Sequence, residues 1–393
     1  MNLRYLVPAL GFAALSTTSA FAEDKAPAVT FGGWVDAVVA YSDDDSFQTA
    51  PTAGQKDPEA GSLRFTGAAS LKTMVKVADT LDAKINLWFD PGTNSVNMRE
   101  AYWNWGFADG FSWQMGKYID HVGLISAEPT GPTFLFINAS LIGYTKTYGN
   151  DVLGTALNIA PKDAPLSGSI HITNGYYTTG DANSTGYVST NNGNRENTDL
   201  GFGLDLNYEL PDKMGALNFE LAYDMHSGNS AYDGLRMGGF TASALTGLGG
   251  DVLMVGFNGL LKPTSILTVG AEVQYLTLDD SENAAGIKQT DGIDRLQFLV
   301  MGNVALEGAP IPMSVTGMVQ YIQQEYNVTN TETESRLGFT AALLTNPLKT
   351  ANFGLNYEIG YYIAESINGV VDNGTNNADV SGFAVSVEGL VSF

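Results

Sequence analysis

Apolar and polar residues alternate with a period of two along most of the chain. From Leu200 to Leu210 every even position is Leu, Phe or Tyr, while the odd positions hold Gly, Asp, Asn or Glu. After a turn at 211–215 the apolar residues resume on the odd positions from Leu217 to Met225. Strict alternation predicts β-strands with one apolar and one polar face, and helical spacing fits none of these segments.

The same pattern predicts about sixteen strands, an even number that is typical of bacterial outer-membrane barrels. The predicted strands lie at 31–41, 62–77, 81–90, 96–105, 111–118, 144–160, 166–174, 199–210, 217–226, 252–261, 266–278, 294–306, 311–325, 335–344, 351–364 and 381–393.

The connectors between these strands alternate between short turns and long segments. The short ones lie at 77–80, 106–110, 161–166, 211–215, 262–265, 307–311 and 345–350, and the long ones at 42–61, 119–143, 175–198, 226–251, 279–293, 326–334 and 365–380. Only 91–95 is brief where a long connector is expected. Tight turns at one end and long loops at the other predict an all-β, transmembrane, antiparallel up-and-down barrel with short periplasmic turns. An ordinary secreted β-sandwich is the alternative, but predicted strands of about 10 residues suit a tilted membrane strand better.

The two faces of the strands determine which side meets water. One face carries too much charge and amide to lie in lipid, and a ring of about sixteen strands is too wide for side chains to fill. We therefore expect Leu, Val, Phe and Tyr to face the bilayer and the polar residues to face a hydrated lumen. Closure of the first strand against the last leaves no unpaired backbone edge in hydrocarbon.

Residues 1–22 have the pattern of a secretory signal peptide, with Arg4, an apolar stretch and small residues at Ala20 and Ala22. Removing them changes the net charge from -23 to -24, because Arg4 is their only charged residue. Residues 23–393 are predicted to form a single barrel. The acidic balance argues against a nucleic-acid partner. The chain has no Cys and three scattered His, a composition that predicts neither a metal site nor a cofactor and argues against a barrel enzyme.

Three short motifs give the chain a resemblance to a known family. They are Glu100-Ala101-Tyr102, Gly116-Lys117-Tyr118 and Asn174-Gly175-Tyr176, and their order resembles that of the OmpL-like β-barrel porin-2 family as far as about residue 210. The segment 118–133 departs from the usual loop of that family. The resemblance implies passive diffusion of small solutes across the bacterial outer membrane.

The candidate pore-lining residues are the charged residues that the two-residue alternation places on the polar, lumenal face, a position called lumenal parity below. They are Arg64, Lys72, Lys76, Lys84, Asp205, Glu209, Glu220, Asp224, Glu272 and Glu358. The basic members lie on the second and third strands, and most acidic members lie on the eighth, ninth and eleventh strands, roughly opposite. We hypothesise that Lys72 and Lys84 face Asp205, Asp224 and Glu272 and create a field across the channel. Alternatively, these charges only solvate the lumen or pair with neighbours.

The long connector 119–143 is a candidate constriction loop that folds inward. It contains Asp120, His121 and Glu128, and its apolar run at 134–137 could pin it to the barrel wall. The alternative is that this apolar run belongs to the sixth strand.

The predicted function is that of an outer-membrane porin for small hydrophilic solutes and ions, with a weak cation preference from its acidic interior. A substrate-selective channel, for example for sugars, is the alternative, because Trp34, Trp88, Tyr102 and Tyr362 have lumenal parity. The terminal Phe393 resembles the signature recognised by the barrel-assembly machinery. Outer-membrane lipid and lipopolysaccharide are the other expected partners, and a homotrimer is a further possibility.

Overall fold

Sixteen of the strands in the described part of the chain close into one antiparallel barrel. The computed structural model describes residues 28–44, 62–90, 95–120, 123–124, 150–173, 200–225, 251–279, 281–282, 288–290, 292–326, 333–349, 352–372 and 375–393. The predicted fold class and the predicted number of barrel strands are confirmed.

Most strands coincide closely with the segments of alternating polarity. The strand bounds are β1 Ala28–Asp44, β2 Ser62–Ala78, β3 Leu81–Asp90, β4 Ser95–Ala108, β5 Phe111–Asp120, β6 Asn150–Ile159, β7 Leu166–Thr173, β8 Leu200–Glu209, β9 Gly215–Met225, β10 Val252–Leu261, β11 Leu267–Leu278, β12 Ser281–Glu282, β13 Lys288–Thr290, β14 Ile293–Ala305, β15 Met313–Tyr326, β16 Glu334–Thr345, β17 Phe353–Asp372 and β18 Thr375–Ser392. The prediction of a long connector at 365–380 was wrong, because the last two strands continue through most of it and stay paired as far as Asp372 and Thr375.

Each barrel strand pairs with its neighbours along the chain, and β1 pairs with β18 to close the ring. The short strands β12 and β13 form a separate hairpin between β11 and β14. This hairpin was not predicted, because its strands of two and three residues are too short to show a period. Closure satisfies the backbone groups of both terminal strands within the sheet, as a membrane barrel requires.

Side chains on each strand alternate between an exposed apolar outer face and a buried inner face. On β14, Val300 is 51 % exposed, whereas the neighbouring inward residues Leu299 and Gln297 are at most 1 % exposed. On β18, Phe383 and Val385 point outward while Ser386 and Glu388 are buried on the inner side. The predicted assignment of apolar residues to the outside therefore agrees with the structure. Among the described residues, no helix is long and apolar enough to span a membrane.

Short turns gather at one end of the barrel, which also carries the start of β1 and the end of β18. Asp163, Asp212 and Lys349 adopt left-handed backbone conformations in three of these turns. Gly110 has a φ of 75°, and a Cβ atom there would lie 2.6 Å from Pro161 Cα in the adjacent turn. Glycine at this position thus permits both the left-handed turn and the close approach of two neighbouring turns.

A β-bulge at Arg99 interrupts the alternation of β4. Asn86 of β3 pairs with Glu100, but the next residue, Leu87, pairs with Met98, so Arg99 is an extra residue. Met98 therefore faces outward although Glu100, two residues away, is buried on the inner side. The extra residue shifts the parity of the strand by one position, as bulges do. If every second residue of 96–105 is assigned to one face of the strand, the residues on one side of Arg99 are assigned to the wrong face.

Candidate functional site

The inner wall of β2, β3 and β4 carries a hydrogen-bonded chain of polar side chains. Ser70 Oγ donates to Asn86 Oδ1 at 2.6 Å, and Asn86 Nδ2 donates to Glu100 Oε2 at 3.0 Å. Lys84 Nζ lies 2.7 Å from Glu100 Oε2 and 2.9 Å from Oε1. Because Glu100 is buried, its charge is compensated by this ammonium group and by the Asn86 amide.

This pairing bears on the hypothesis that Lys84 faces a distant acidic wall. Lys84 forms its ion pair with Glu100 on the adjacent strand, which is the alternative of pairing with a neighbour. Lys72 lies half-buried on the inner face of β2. Lys76 is at the short-turn end, where its Nζ is 3.3 Å from Asp79 Oδ1. The side chain of Arg64 lies outside the part that the structure describes.

A second polar sector covers the inner wall from β5 to β9. His171 Nε2 is 2.8 Å from Asp205 Oδ2 and 2.7 Å from Ser169 Oγ, and its Nδ1 is 3.1 Å from the Tyr118 hydroxyl. Ser169 Oγ also donates to Asp205 Oδ2 at 3.1 Å. Asp205 pairs in register with Glu220 on β9. This sector brings together carboxylates that sequence parity assigned to the lumen.

The segment that follows β5 contacts carboxylates on the more distant strands β9 and β11. The Gly123 amide donates to both carboxylate oxygens of Glu220, at 3.0 and 2.9 Å. The Leu124 amide donates to Glu272 Oε2 at 2.5 Å. In the strand order, β9 is four strands from β5 and β11 is six strands away, so residues 123–124 lie within the lumen.

A glycine in β11 makes room for the side chain of Leu124. Leu124 is 8 % exposed, and a Cβ atom built on Gly270 would lie 2.7 Å from Leu124 Cδ2. Asn258 Nδ2 donates to Glu220 Oε1 at 2.7 Å and so fixes the carboxylate that holds Gly123. Sequence reasoning did not identify Gly270 or Asn258, since their role depends on a contact between distant parts of the chain.

A third sector, on β11 and β14–β16, is rich in amides and guanidinium groups. Arg295 donates through Nε and Nη2 to Gln324 Oε1, at 2.9 and 2.6 Å. Gln297 donates to Gln274 Oε1, and Arg336 is fully buried nearby on β16. These residues were missed as candidates although their parity was readable in the sequence. Arg99 was missed for a different reason, because the bulge that directs its guanidinium 4.4 Å from the Trp88 ring has no sequence signature.

The remaining candidates lie at other places on the barrel wall. Asp224 and Glu358 are buried on inner faces, and Glu209 is exposed at the short-turn end of β8. Glu388, which was not a candidate, accepts a hydrogen bond from Asn356 Nδ2 at 2.6 Å. The constriction-loop residues His121 and Glu128, and the side chain of Asp120, lie outside the described part, as does the apolar run 134–137.

Lumenal aromatic rings contact other protein groups. Trp34 and Trp88 pack edge-to-face with centroids 5.1 Å apart, and Tyr102 and Tyr118 do so at 6.4 Å. Trp34 is fully buried and Tyr362 is 3 % exposed. These two rings are therefore packed into the wall and present almost no surface to the lumen.

Neither a protein-family model nor a curated protein sequence matches the chain. Solved structures do match. The outer membrane channel DcaP of Acinetobacter baumannii aligns with a TM-score of 0.59 at 13 % identity, over 96 % of this chain and 100 % of that chain.

Two further solved barrels align over similar lengths. An anion-selective porin from Comamonas acidovorans has a TM-score of 0.59 at 13 % identity, with 94 % of this chain and 100 % of that one covered. In-vitro folded OmpT of Vibrio cholerae, in a trimer form, has a TM-score of 0.54 at 14 % identity, with 94 % and 100 % covered. At these identities the likeness concerns the fold. The chain therefore has the 16-stranded β-barrel fold of bacterial outer-membrane porins.

Proposed function

We propose that the chain is an outer-membrane porin that lets small hydrophilic solutes and ions diffuse passively, with a weak preference for cations. One observation carries the proposal: a closed sixteen-strand barrel has apolar side chains on its outside and charged and amide side chains on its inside. Such a wall is stable in lipid only if water fills the space that it encloses. Diffusion through a hydrated bore requires no reacting group.

We infer that the connector 119–143 narrows this bore. Support comes from residues 123–124, whose backbone amides are bound by Glu220 and Glu272 across the lumen. A segment that is held at both β9 and β11 occupies part of the cross-section. Asp120, His121 and Glu128 belong to the same connector and are proposed to contribute to its charge.

The cation preference follows from the balance of inner-wall charges. Lys84 is paired with Glu100, so its charge is compensated within the wall. The carboxyl groups of Asp205, Glu220 and Glu272 lie together around residues 123–124, called the crossing segment below. Negative charge in a bore lined by low-dielectric protein raises the local concentration of cations. Arg295 and Arg336 in the third sector offset part of this field, so the preference is weak.

A sugar-selective channel is the alternative function. It would need aromatic faces that a sugar ring can contact, yet Trp34 and Tyr362 are almost completely buried and Trp34 packs against Trp88. General diffusion therefore agrees better with the packing of these rings. Saturable current that is blocked by one neutral sugar would favour the selective channel.

Partners and assembly belong to the same proposal. We propose insertion by the barrel-assembly machinery through the segment that ends at Phe393, after removal of residues 1–22. Contact with phospholipid and lipopolysaccharide follows from the exposed apolar belt. A homotrimer is supported by the trimer form of OmpT, which shares the fold.

The direct test is electrical recording from purified mature protein in planar lipid bilayers. We expect discrete, ohmic conductance steps and, in a salt gradient, a reversal potential of the sign that indicates cation preference. The same protein unfolded before addition is the control. Folded protein that inserts without conducting would overturn the proposed function, and a reversal potential of opposite sign would overturn only the ion preference.

A further inference from the structure

A cavity of about 370 Å³ opens on the inner wall beside Gly123. Its polar lining comes from two adjacent rows of inward residues that follow the register of β6–β9. The first row is Asn158, Ser169, Asp205 and Glu220, and the second is Ser167, Asn207 and Asn218. Four consecutive strands thus present seven hydrogen-bonding side chains to one space. Because all seven residues lie on strands, the backbone holds their side chains in fixed positions.

The amide groups of this cavity are oriented by hydrogen bonds within the wall. Asn158 Nδ2 donates to Ser112 Oγ at 3.4 Å, Asn207 Nδ2 donates to Ser167 Oγ at 3.3 Å, and Asn218 Nδ2 donates to Asn258 Oδ1 at 2.7 Å. All three asparagines use their NH₂ groups as donors to the wall. Each NH₂ group uses one of its two hydrogens in this way, so a ligand would meet the carbonyl oxygen as an acceptor and the second N–H as a donor.

The carboxylate of Asp205 adds negative charge to these acceptors, and the carboxyl group of Glu220 lies beside it. Ser169 and His171 both contact Oδ2 of Asp205, which leaves Oδ1 for a ligand. Glu220 is 3 % exposed and holds the Gly123 amide. Among the described residues that line the cavity there is no Lys or Arg. A space that offers carboxylate and carbonyl oxygens is complementary to a ligand with many donors and a positive charge.

We propose that this cavity is a binding subsite for small organic ammonium solutes that also carry hydroxyl groups, such as protonated amino sugars. The ammonium group would bind Asp205, and the hydroxyls would donate to the asparagine oxygens. The volume equals about a dozen water molecules at roughly 30 Å³ each, which matches a hexosamine better than a single metal ion. The inference rests on the proposed function, since it names a class of solute for the same lumen.

Calorimetric titration of the detergent-solubilised barrel with glucosamine tests this site without requiring conduction. Glucose is the neutral probe of the same size and shape. We expect measurable binding of glucosamine at pH 7 and at least about tenfold weaker binding of glucose, as expected when a charged hydrogen bond worth about 1.5–3 kcal/mol is lost. Asp205→Asn should weaken glucosamine binding by a similar factor, and Asp205→Glu should retain part of it.

Asp163→Asn is the matched control, because it removes the same charge from an exposed turn between β6 and β7 outside the cavity. It should bind glucosamine as the wild type does. Equal binding of glucose and glucosamine, or unchanged binding in Asp205→Asn, would overturn the proposed ammonium site. Should Asp205→Asn fail to fold, Asn207→Leu removes one acceptor and should weaken binding instead; unchanged binding in that variant would also count against the site. Binding without conductance would reject the channel and keep the site, and conductance without binding would do the reverse.

Discussion

Gly33 and Phe393 exchange both of their backbone hydrogen bonds. Gly33 N donates to Phe393 O at 2.9 Å, and Phe393 N donates to Gly33 O at 3.0 Å. The pair lies at the seam where β18 meets β1, so the last residue of the chain completes the barrel. A Cβ atom on Gly33 would lie 2.1 Å from Ser70 O and 2.9 Å from the Phe393 ring.

Replacing Gly33 with Val should therefore open or strain this seam. Overpacking of this kind costs about 1–3 kcal/mol of unfolding free energy. The measurement is the fraction of protein that migrates as compact, unheated barrel in detergent gels, together with its midpoint of thermal unfolding. Gly317→Val is the matched control, because a Cβ on Gly317 meets no atom within 4 Å and points to the outside. Equal loss in both variants would show that the seam is not the cause.

Phe393 should matter for assembly more than for stability. Its ring is 62 % exposed on the outer surface, while its backbone makes the seam bonds. Phe393→Ser keeps the backbone bonds and removes the ring that the assembly machinery is proposed to recognise. We expect a lower level in the outer membrane of living cells, with refolding into pure lipid vesicles little changed. A parallel loss in both assays would indicate a structural role.

The Lys84–Glu100 pair should respond as a coupled unit. Lys84→Met leaves the buried Glu100 carboxylate without its ammonium partner, which costs about 1–3 kcal/mol of unfolding free energy. It also adds uncompensated negative charge to the lumen, so the cation preference in a salt gradient should increase. In the double variant Lys84→Met with Glu100→Gln, both stability and ion preference should return toward the wild type. Additive effects would show that the two charges act independently.

The space that Gly270 leaves for the Leu124 side chain provides a test of whether the crossing segment narrows the bore. Gly270→Val fills the space now occupied by Leu124 Cδ2, so it should displace residues 123–124 from the wall. Single-channel conductance should rise as the bore widens. Adding Leu124→Ala removes the clash and should bring the conductance back, because both amide–carboxylate contacts can re-form. Unchanged conductance in Gly270→Val would mean that this segment does not limit flow.

The outer belt should tolerate charge far less than the inner wall. Val300→Arg places a cation in lipid near the middle of β14, at a cost of about 2–4 kcal/mol. Asn303→Arg puts the same group on the inner face of the same strand. It removes the hydrogen bonds of Asn303 to Ser314 and Thr316 but should cost less than Val300→Arg. Denaturant unfolding of the barrel in lipid vesicles compares the two. Similar losses of unfolding free energy in the two variants would contradict the assignment of Val300 to the outer face and of Asn303 to the inner face.

The fold was largely predictable because a two-residue period is a local signal. The polarity of Leu204 and of Asp205 can be read from the residues themselves, without knowing what they contact. The lengths of the connectors indicate which strand ends lie at the same end of the barrel. The prediction fails where one inserted residue changes the count, as at Arg99. It also fails for strands too short to show a period, such as Ser281–Glu282.

The arrangement of the lumen was less predictable, because it depends on contacts between residues far apart in the sequence. Parity assigns Lys84 and Glu220 to the inner face, but nothing in the sequence indicates that Lys84 meets Glu100 or that Glu220 meets Gly123. Arg295 and Arg336 could have been identified by parity, whereas the role of Gly270 becomes evident only once Leu124 is seen beside it.

The contact of residues 123–124 with β9 and β11 has a mechanical consequence. Residues 123–124 follow β5 in the chain and are hydrogen-bonded to carboxylates on β9 and β11. They therefore connect strands that are four and six positions apart in the ring. The same few residues that occupy the bore therefore also restrain how far these strands can move apart.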